Sequence, residues 1–286
     1  MKLNDTDHNV QADLFDEEDE SRRLLDQLLE DSRLYSHSKD YLDLLETITL
    51  LREFAPFNAM LLQIQKPGLK YAAPQKDWWD KFTRWPKEDS RPLLILWPFA
   101  PVVFVYDYLD TEGQDLPEDM YVFPASGELH QNKIEYFFDL CGKNHIDIKR
   151  IDAGDNKAGE IQCTHRGSTK KEASNYLLKI NENHSLPTQF TTLAHELGHL
   201  FLGHLGEDKK LKISGRRPSE LKDREIEAES VAYLVCNRNG VKPKSQTYLC
   251  SFVEQDTVID SIDIYSIMKA AGDIEKLLGI DHTSVQ

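Results

Sequence analysis

The sequence predicts an α+β protein: a small sheet packed against a histidine-bearing helix and a glutamate-bearing helix, with a smaller α+β domain ahead of them. Three observations predict it. Short β-type runs at residues 146–151, 159–163 and 176–180 are separated by turns containing Gly and Asn. An apolar run at 187–203, too long for a strand, follows them and carries His195, Glu196 and His199, and a second helical run at 221–236 is rich in glutamate. Ahead of these a separate succession of helical and strand patterns ends in the loop at 110–117, which places a domain boundary between about 108 and 128, taken here at 118/119.

Taken in order, residues 1–20 are polar and acidic without periodicity, with six acids between positions 13 and 20, and predict a disordered start. The amino-terminal domain, 21–118, opens with leucines at helical spacing in 22–35 and 39–54, which predict two amphipathic packing helices. A third helix is expected at 57–65, stopped by Lys66, Pro67 and Gly68. Runs at 92–97 and 102–106 predict two strands about a Pro-containing turn. Between helix and strands lies a segment holding three of the four tryptophans, with the fourth at position 97. There Trp78, Trp79 and Trp85 alternate with Lys81 and Arg84, as a stacking groove for single-stranded nucleic acid would require, although the same residues also suit a small aromatic core. In the carboxy-terminal domain, 119–286, a helix at 129–141 precedes the three strands, Ser185 is a candidate cap ahead of Pro187, and residues 247–278 have helical spacing without evident chemistry.

Composition excludes several classes. The 286 residues are 40% hydrophobic and carry a net charge of −15, which argues against binding nucleic acid over the whole surface, although residues 66–91 are mildly basic. No stretch approaches the ~20 apolar residues of a membrane span, and the polar start is unlike a secretory signal, so a cytoplasmic protein is expected. Cys141, Cys163, Cys236 and Cys250 form no C-x-x-C spacing and read as reduced, packed thiols.

The chemistry concentrates at 192–202. His195 and His199 bracket Glu196 in the H-E-x-x-H zinc pattern; on a helix a spacing of four brings both imidazoles to one face, with the glutamate beside them to act on a bound water. Apolar residues on all sides of this run mark a buried helix, in which unpartnered histidines and carboxylates would be costly. Two imidazoles need a third protein ligand, and the helix at 221–236 offers it. Glu225 and Glu229, one turn apart, share a side, while Glu227 points elsewhere. Glu225 is the expected ligand, and Glu229 either supports a histidine or replaces Glu225 as the ligand. His204, extrapolated along the helix, lies about 140° from His199 and reads as a surface or capping residue.

These residues resemble the ImmA/IrrE-type zinc metallopeptidases, whose common form pairs H-E-L-G-H with an E-x-E-A-N-x-F-A helix. Glu229 stands where Asn is usual and Val231 where Phe is usual. Residues 56–67 and 103–107 are similar to the amino-terminal part of ArdC-like antirestriction proteins, in which a single-stranded-DNA-binding domain precedes such a peptidase-like domain. The resemblance implies a zincin-like fold for 119–286, a gluzincin-like site with one zinc ion per chain, and a bacterial, plasmid or phage setting in which a protein such as a transcriptional repressor is cut. Three functions compete: a zinc endopeptidase of narrow specificity, a single-stranded-DNA-binding antirestriction protein whose metal site is structural or vestigial, and a self-associating, toxin- or antitoxin-like partner. A general base beside an open fourth position favours the first.

Overall fold

A computed structural model describes residues 38–69, 71–97, 100–114, 129–153, 157–216, 220–242 and 262–280. The expected disordered start, the helix at 22–35, the boundary at 118/119 and Cys250 lie outside the described residues.

The described chain is a mixed α+β fold. Helix α1 (Ser38–Leu50) buries Tyr41, Leu44, Leu45 and Ile48, the i, i+3, i+4, i+7 stripe of an amphipathic helix. Helix α2 (Pro56–Gln65) starts on a proline, whose missing N–H costs nothing in a first turn, and ends ahead of Gly68 at φ 79°. Then come β1 (Ala72–Ala73), α3 (Gln75–Phe82), β2 (Arg84–Pro86), β3 (Leu93–Trp97), β4 (Ala100–Asp107), a 3-10 turn (Tyr108–Asp110) and β5 (Thr111–Gly113). Strand β4 is central in an antiparallel sheet ordered β1-β4-β3, and β2 pairs with β5. The other edge of β3 is closed by side chains of α2. Asn58 exchanges two 3.0 Å hydrogen bonds with Leu96, and Gln65 two of 2.8 Å with Leu94, so two amides stand in for a missing strand.

Helix α4 (Gln131–Lys143) leads to β6 (Ile146–Ile151), β7 (Gly159–His165) and β8 (Asn175–Asn181), ordered β6-β8-β7, with β6 parallel and β7 antiparallel to β8. Helices α5 (Leu186–Phe201), α6 (Leu221–Arg238) and α7 (Ile264–Leu277) complete the fold. Ser185 occupies the N-cap position of α5, but its hydroxyl meets the Thr188 hydroxyl at 3.0 Å and caps no backbone N–H.

One hydrophobic core runs from Tyr41 to Leu278 and joins α1, α2, α5, α6 and α7 with the β6-β8-β7 sheet. Helix α6 is its axis and is braced along its length. Tyr41 of α1 donates to Ser230 Oγ at 2.7 Å. At the far end the buried Arg238 guanidinium meets Glu275 of α7 at 2.8 Å and donates to the carbonyls of Ile48, Leu51 and Phe54, at the end of α1 and in the turn after it.

Candidate metal centre

Helix α5 is buried through Phe190, Leu193, Ala194, Leu197 and Leu200, so its position is fixed by packing and its remaining face is set against α6. Gly198 lies in that contact: a Cβ there would come within 3.3 Å of the Ala228 carbonyl. The small residue lets the two helices approach closely, which brings a carboxylate of α6 onto the histidines of α5.

His195 Nε2 and His199 Nε2 are 3.1 Å apart, and each lies 3.5 Å from one oxygen of Glu225. The three side chains offer donor atoms within 4.8 Å of one another, the one such cluster of His, Cys, Asp and Glu among the described residues. Two imidazoles and one carboxylate suit a divalent metal ion and leave room for further ligands. The protonation pattern agrees with a site built for a cation. Burial pulls the His195 imidazolium down, but Glu225, Glu229 and Glu196 outweigh it and push the group up to about 10. Burial and the neighbouring positive charge of His195 hold His199 well below the usual imidazole range. A hydrogen bond from His195 leads the causes that keep the Glu225 carboxyl below its ordinary value.

Glu229, one turn after Glu225, reaches the opposite nitrogen of the first histidine, with Oε1 3.3 Å from His195 Nδ1. It therefore stands behind His195, while Glu225 stands in front of both rings. Glu196 is half-buried beside them. Burial raises its carboxyl above the ordinary range, against the opposing pull of His195 and of the Ile161 backbone N–H in β7. A carboxylate raised toward neutrality is a better proton acceptor at working pH than an exposed one.

Behind His199 lies a set of residues that the sequence did not connect. Extrapolation of α5 through residue 203 puts His204 on the surface; the helix instead ends at Phe201, and Gly203 at φ 76° turns the chain back, with the His204 N–H bonding the His199 carbonyl at 3.0 Å. The His204 ring is consequently buried, 2.9 Å from His199 between their Nδ1 atoms and 3.0 Å from Glu227 Oε2 through Nε2. Glu227, expected to point away from the histidines, does so, but into the interior. It is 1% exposed and takes both Arg216 guanidinium nitrogens and the Asp263 N–H at the start of α7. Burial opposes its ionisation, and His204, Arg216 and the Asp263 N–H together hold its carboxyl below the usual range. The available signal was Gly203, the residue type that most often ends a helix and reverses its chain.

The residues expected to contact nucleic acid are divided. Trp78 is fully buried among Tyr71, Phe82 and Tyr108 and donates from Nε1 to the Tyr106 carbonyl at 2.9 Å. Arg84 is 5% exposed and is spent on Thr111 and the Gln114 carbonyl. Both belong to the interior, because an aromatic ring and a guanidinium with this many local partners gain more from packing than from solvent. Trp79 and Trp85 remain exposed, at 59% and 43%, with ring centroids 6.2 Å apart, and Lys81 lies close by on α3, paired with Asp77 at 2.8 Å.

Residues 141–239, which span the β6-β8-β7 sheet, α5 and α6, match the family model Peptidase_M78, an IrrE N-terminal-like domain. This segment contains His195, Glu196, His199, Glu225, Glu227 and Glu229 and bears out the peptidase resemblance read from its motifs. Among solved structures, the antirestriction ArdC protein from the R388 plasmid is similar in its metal-free form at 18% identity and a TM-score of 0.37, and in its Mn(II)-bound form at 19% and 0.40. Each similarity covers 80% of this chain and 85% of the other. No curated protein matches the chain significantly. No helix among the described residues is long and apolar enough to cross a membrane.

Proposed function

We propose that this protein is a zinc-dependent endopeptidase of narrow specificity that cuts a regulatory protein, such as a transcriptional repressor, in the cytoplasm of a bacterial, plasmid or phage system. The observation that carries the reading is the conjunction, on two packed helices, of the His195, His199 and Glu225 donors with a half-buried carboxylate, Glu196, beside them. Those three residues would hold the ion. When bound, zinc would supply a Lewis acid that polarises a carbonyl and acidifies a water. Glu196 takes the proton of the attacking water and delivers it to the departing amine, so that one carboxyl group serves as base and then as acid. An open coordination position beside a ready base is what a hydrolase needs and a structural metal site lacks.

Peptide is favoured over other hydrolysable substrates by the neighbouring strand. β7 is an edge strand, paired on one side with β8, and its Ile161 N–H reaches Glu196. An extended peptide added to that edge would run past the general base. Residues 119–286 are taken as the peptidase unit and residues 21–118 as an accessory α+β domain, whose first described helix braces α6 through Tyr41.

The test is metal analysis of the purified full chain beside Glu196→Gln, each incubated with candidate repressors. About one zinc per chain in both proteins, with cleavage by the parent alone, is expected. Absence of bound metal from the parent after incubation with zinc would end the reading.

A second reading, single-stranded-DNA binding with a structural or vestigial metal site, is favoured by the exposed Trp79–Trp85 pair. It ranks lower because acids sit within the same patch: Glu112 accepts from Trp85 Nε1 at 2.8 Å, and Asp77 holds Lys81.

A further inference from the structure

Resting on the metal site proposed above, we infer that His204 is a positioning residue: it fixes His199 as the tautomer protonated on Nδ1, so that the Nε2 lone pair faces His195 and Glu225, and Glu227 with Arg216 fixes His204 in turn.

One chain of contacts, from Arg216 through Glu227 and His204 to His199, fixes where each proton sits. Glu227 is buried and accepts from two Arg216 nitrogens and from the Asp263 N–H, so its charge is matched and its position held before His204 is considered. An ionised carboxylate can only accept, so His204 Nε2, 3.0 Å from Oε2, must carry a proton. A neutral His204 that donates from Nε2 to Glu227 has a bare Nδ1. Only one proton fits between two ring nitrogens 2.9 Å apart, and it must therefore sit on His199 Nδ1. A neutral His199 so protonated has its lone pair on Nε2, the atom 3.5 Å from Glu225 and 3.1 Å from His195.

Local backbone makes the arrangement rigid. Gly203, where a Cβ would lie 2.6 Å from the Ser214 carbonyl, returns His204 to the end of α5, and Arg224 of α6 donates to the His204 carbonyl at 2.8 Å. The two histidines of the motif are thus oriented by different means, His195 by a single carboxylate near solvent and His199 through a buried relay. Supporting groups of this kind commonly change metal affinity by ~10–100-fold when removed.

The first measurement needs no variant. A two-bond proton–nitrogen correlation spectrum of the full chain with 15N-labelled histidine, stripped of metal, is expected to give His199 as the Nδ1–H form and His204 as the Nε2–H form. His199 protonated on Nε2 instead would overturn the inference. The second is zinc affinity by chelator competition: His204→Ala should bind about 10–100-fold more weakly than the parent, and His204→Gln, whose amide offers both an acceptor and a donor, should recover most of the loss. A His204→Ala protein that folds and binds zinc within about threefold of the parent would sink the positioning role, because that loss is below the supporting-shell range. A purely structural role would lower the melting temperature of both variants while leaving the affinity of the folded protein unchanged. If His204→Ala does not fold, the parent spectrum and His204→Gln still decide. Failure of the parent to take up zinc would refute the metal reading, and the tautomer spectrum would still report on the relay.

Discussion

The helix pair α5–α6 and the tryptophan segment around α3 carried comparable chemical promise in the sequence, yet the fold treats them in opposite ways. In the helix pair, function-bearing residues are tied by spacing: His195 and His199 must share a face of any helix, and Glu225 and Glu229 must share a side of the next. In the tryptophan segment they are tied only by composition, and composition does not say which side of a short helix is covered. Trp78 and Trp79 are neighbours on α3, one fully buried and one 59% exposed. The difference teaches that periodic constraints survive into three dimensions, whereas clusters of residue types are sorted by packing.

The sharpest way to test the helix pair is through Glu196. Glu196→Gln is nearly isosteric and leaves His195, His199 and Glu225 untouched, but an amide cannot accept the proton that the proposed mechanism gives to Glu196. Peptide cleavage should fall by ~10²–10⁴-fold with metal content unchanged, as measured by turnover beside elemental analysis. His195→Ala should lose metal and turnover together. A Glu196→Gln protein that cleaves at the parent rate would show that this helix pair is not the catalytic machinery, and would place it with the tryptophan segment as a region whose residues misled.

The same contrast has a stability counterpart. Trp78→Ala removes a buried ring and the Nε1 bond to Tyr106, and should cost ~3–5 kcal/mol in a denaturant titration. Trp79→Ala on the same helix should change stability by no more than ~0.5 kcal/mol. Equal losses at the two positions would mean that the exposed ring is packed in solution.

Much of this was legible beforehand, and the misses have physical causes. β6 is found at the residues its pattern predicts, and α6 starts where its pattern starts, because hydrophobic runs bounded by turn residues leave little freedom. Helical spacing puts Glu225 and Glu229 on one side of a helix and prefers Glu225 as the ligand, but it cannot give the depth of each against α5, which depends on the close approach at Gly198. A helix continued through Gly203 puts His204 on the wrong side, because the chain reverses at that glycine. The helical angle of Glu227, the partner of His204, excludes it from the histidine pair but says nothing about Arg216 arriving from the preceding loop. Trp78 and Arg84 suit a nucleic-acid groove by residue type, but their partners, Tyr106 and Thr111, lie more than twenty residues ahead, where local sequence does not reveal them.

Metal binding should also depend on pH in a way the tryptophan segment cannot imitate. In protein stripped of metal the acids around His195 keep its imidazolium protonated up to about 10, whereas His199 is held down and Glu225 stays ionised. A metal ion must then displace about one proton from His195, so apparent zinc affinity should rise as pH rises, by about tenfold per unit between about pH 6 and 9, and flatten above the His195 value. Chelator competition across that range, with calorimetry in buffers of different ionisation enthalpy to count the proton, measures it. A flat profile would mean that His195 is already neutral and that Glu225 and Glu229 do not act on it as the geometry indicates.

The smallest expected effect belongs to the exposed tryptophan pair. If Trp79 and Trp85 stack on bases, replacing either with Ala should weaken retention of a single-stranded oligonucleotide by the full chain by about 1 kcal/mol, the low end for a stacked base, because only two of the three rings face solvent. Retention should fall as salt rises, but with a shallow slope: Arg84 is buried and Lys81 is held by Asp77, which leaves few cations in the patch to displace counterions. Fluorescence anisotropy at low and moderate salt reads both quantities. A parent chain that retains no oligonucleotide at low salt would remove the second reading, and a steep salt slope with no effect of Trp79→Ala or Trp85→Ala would move any DNA contact away from this face.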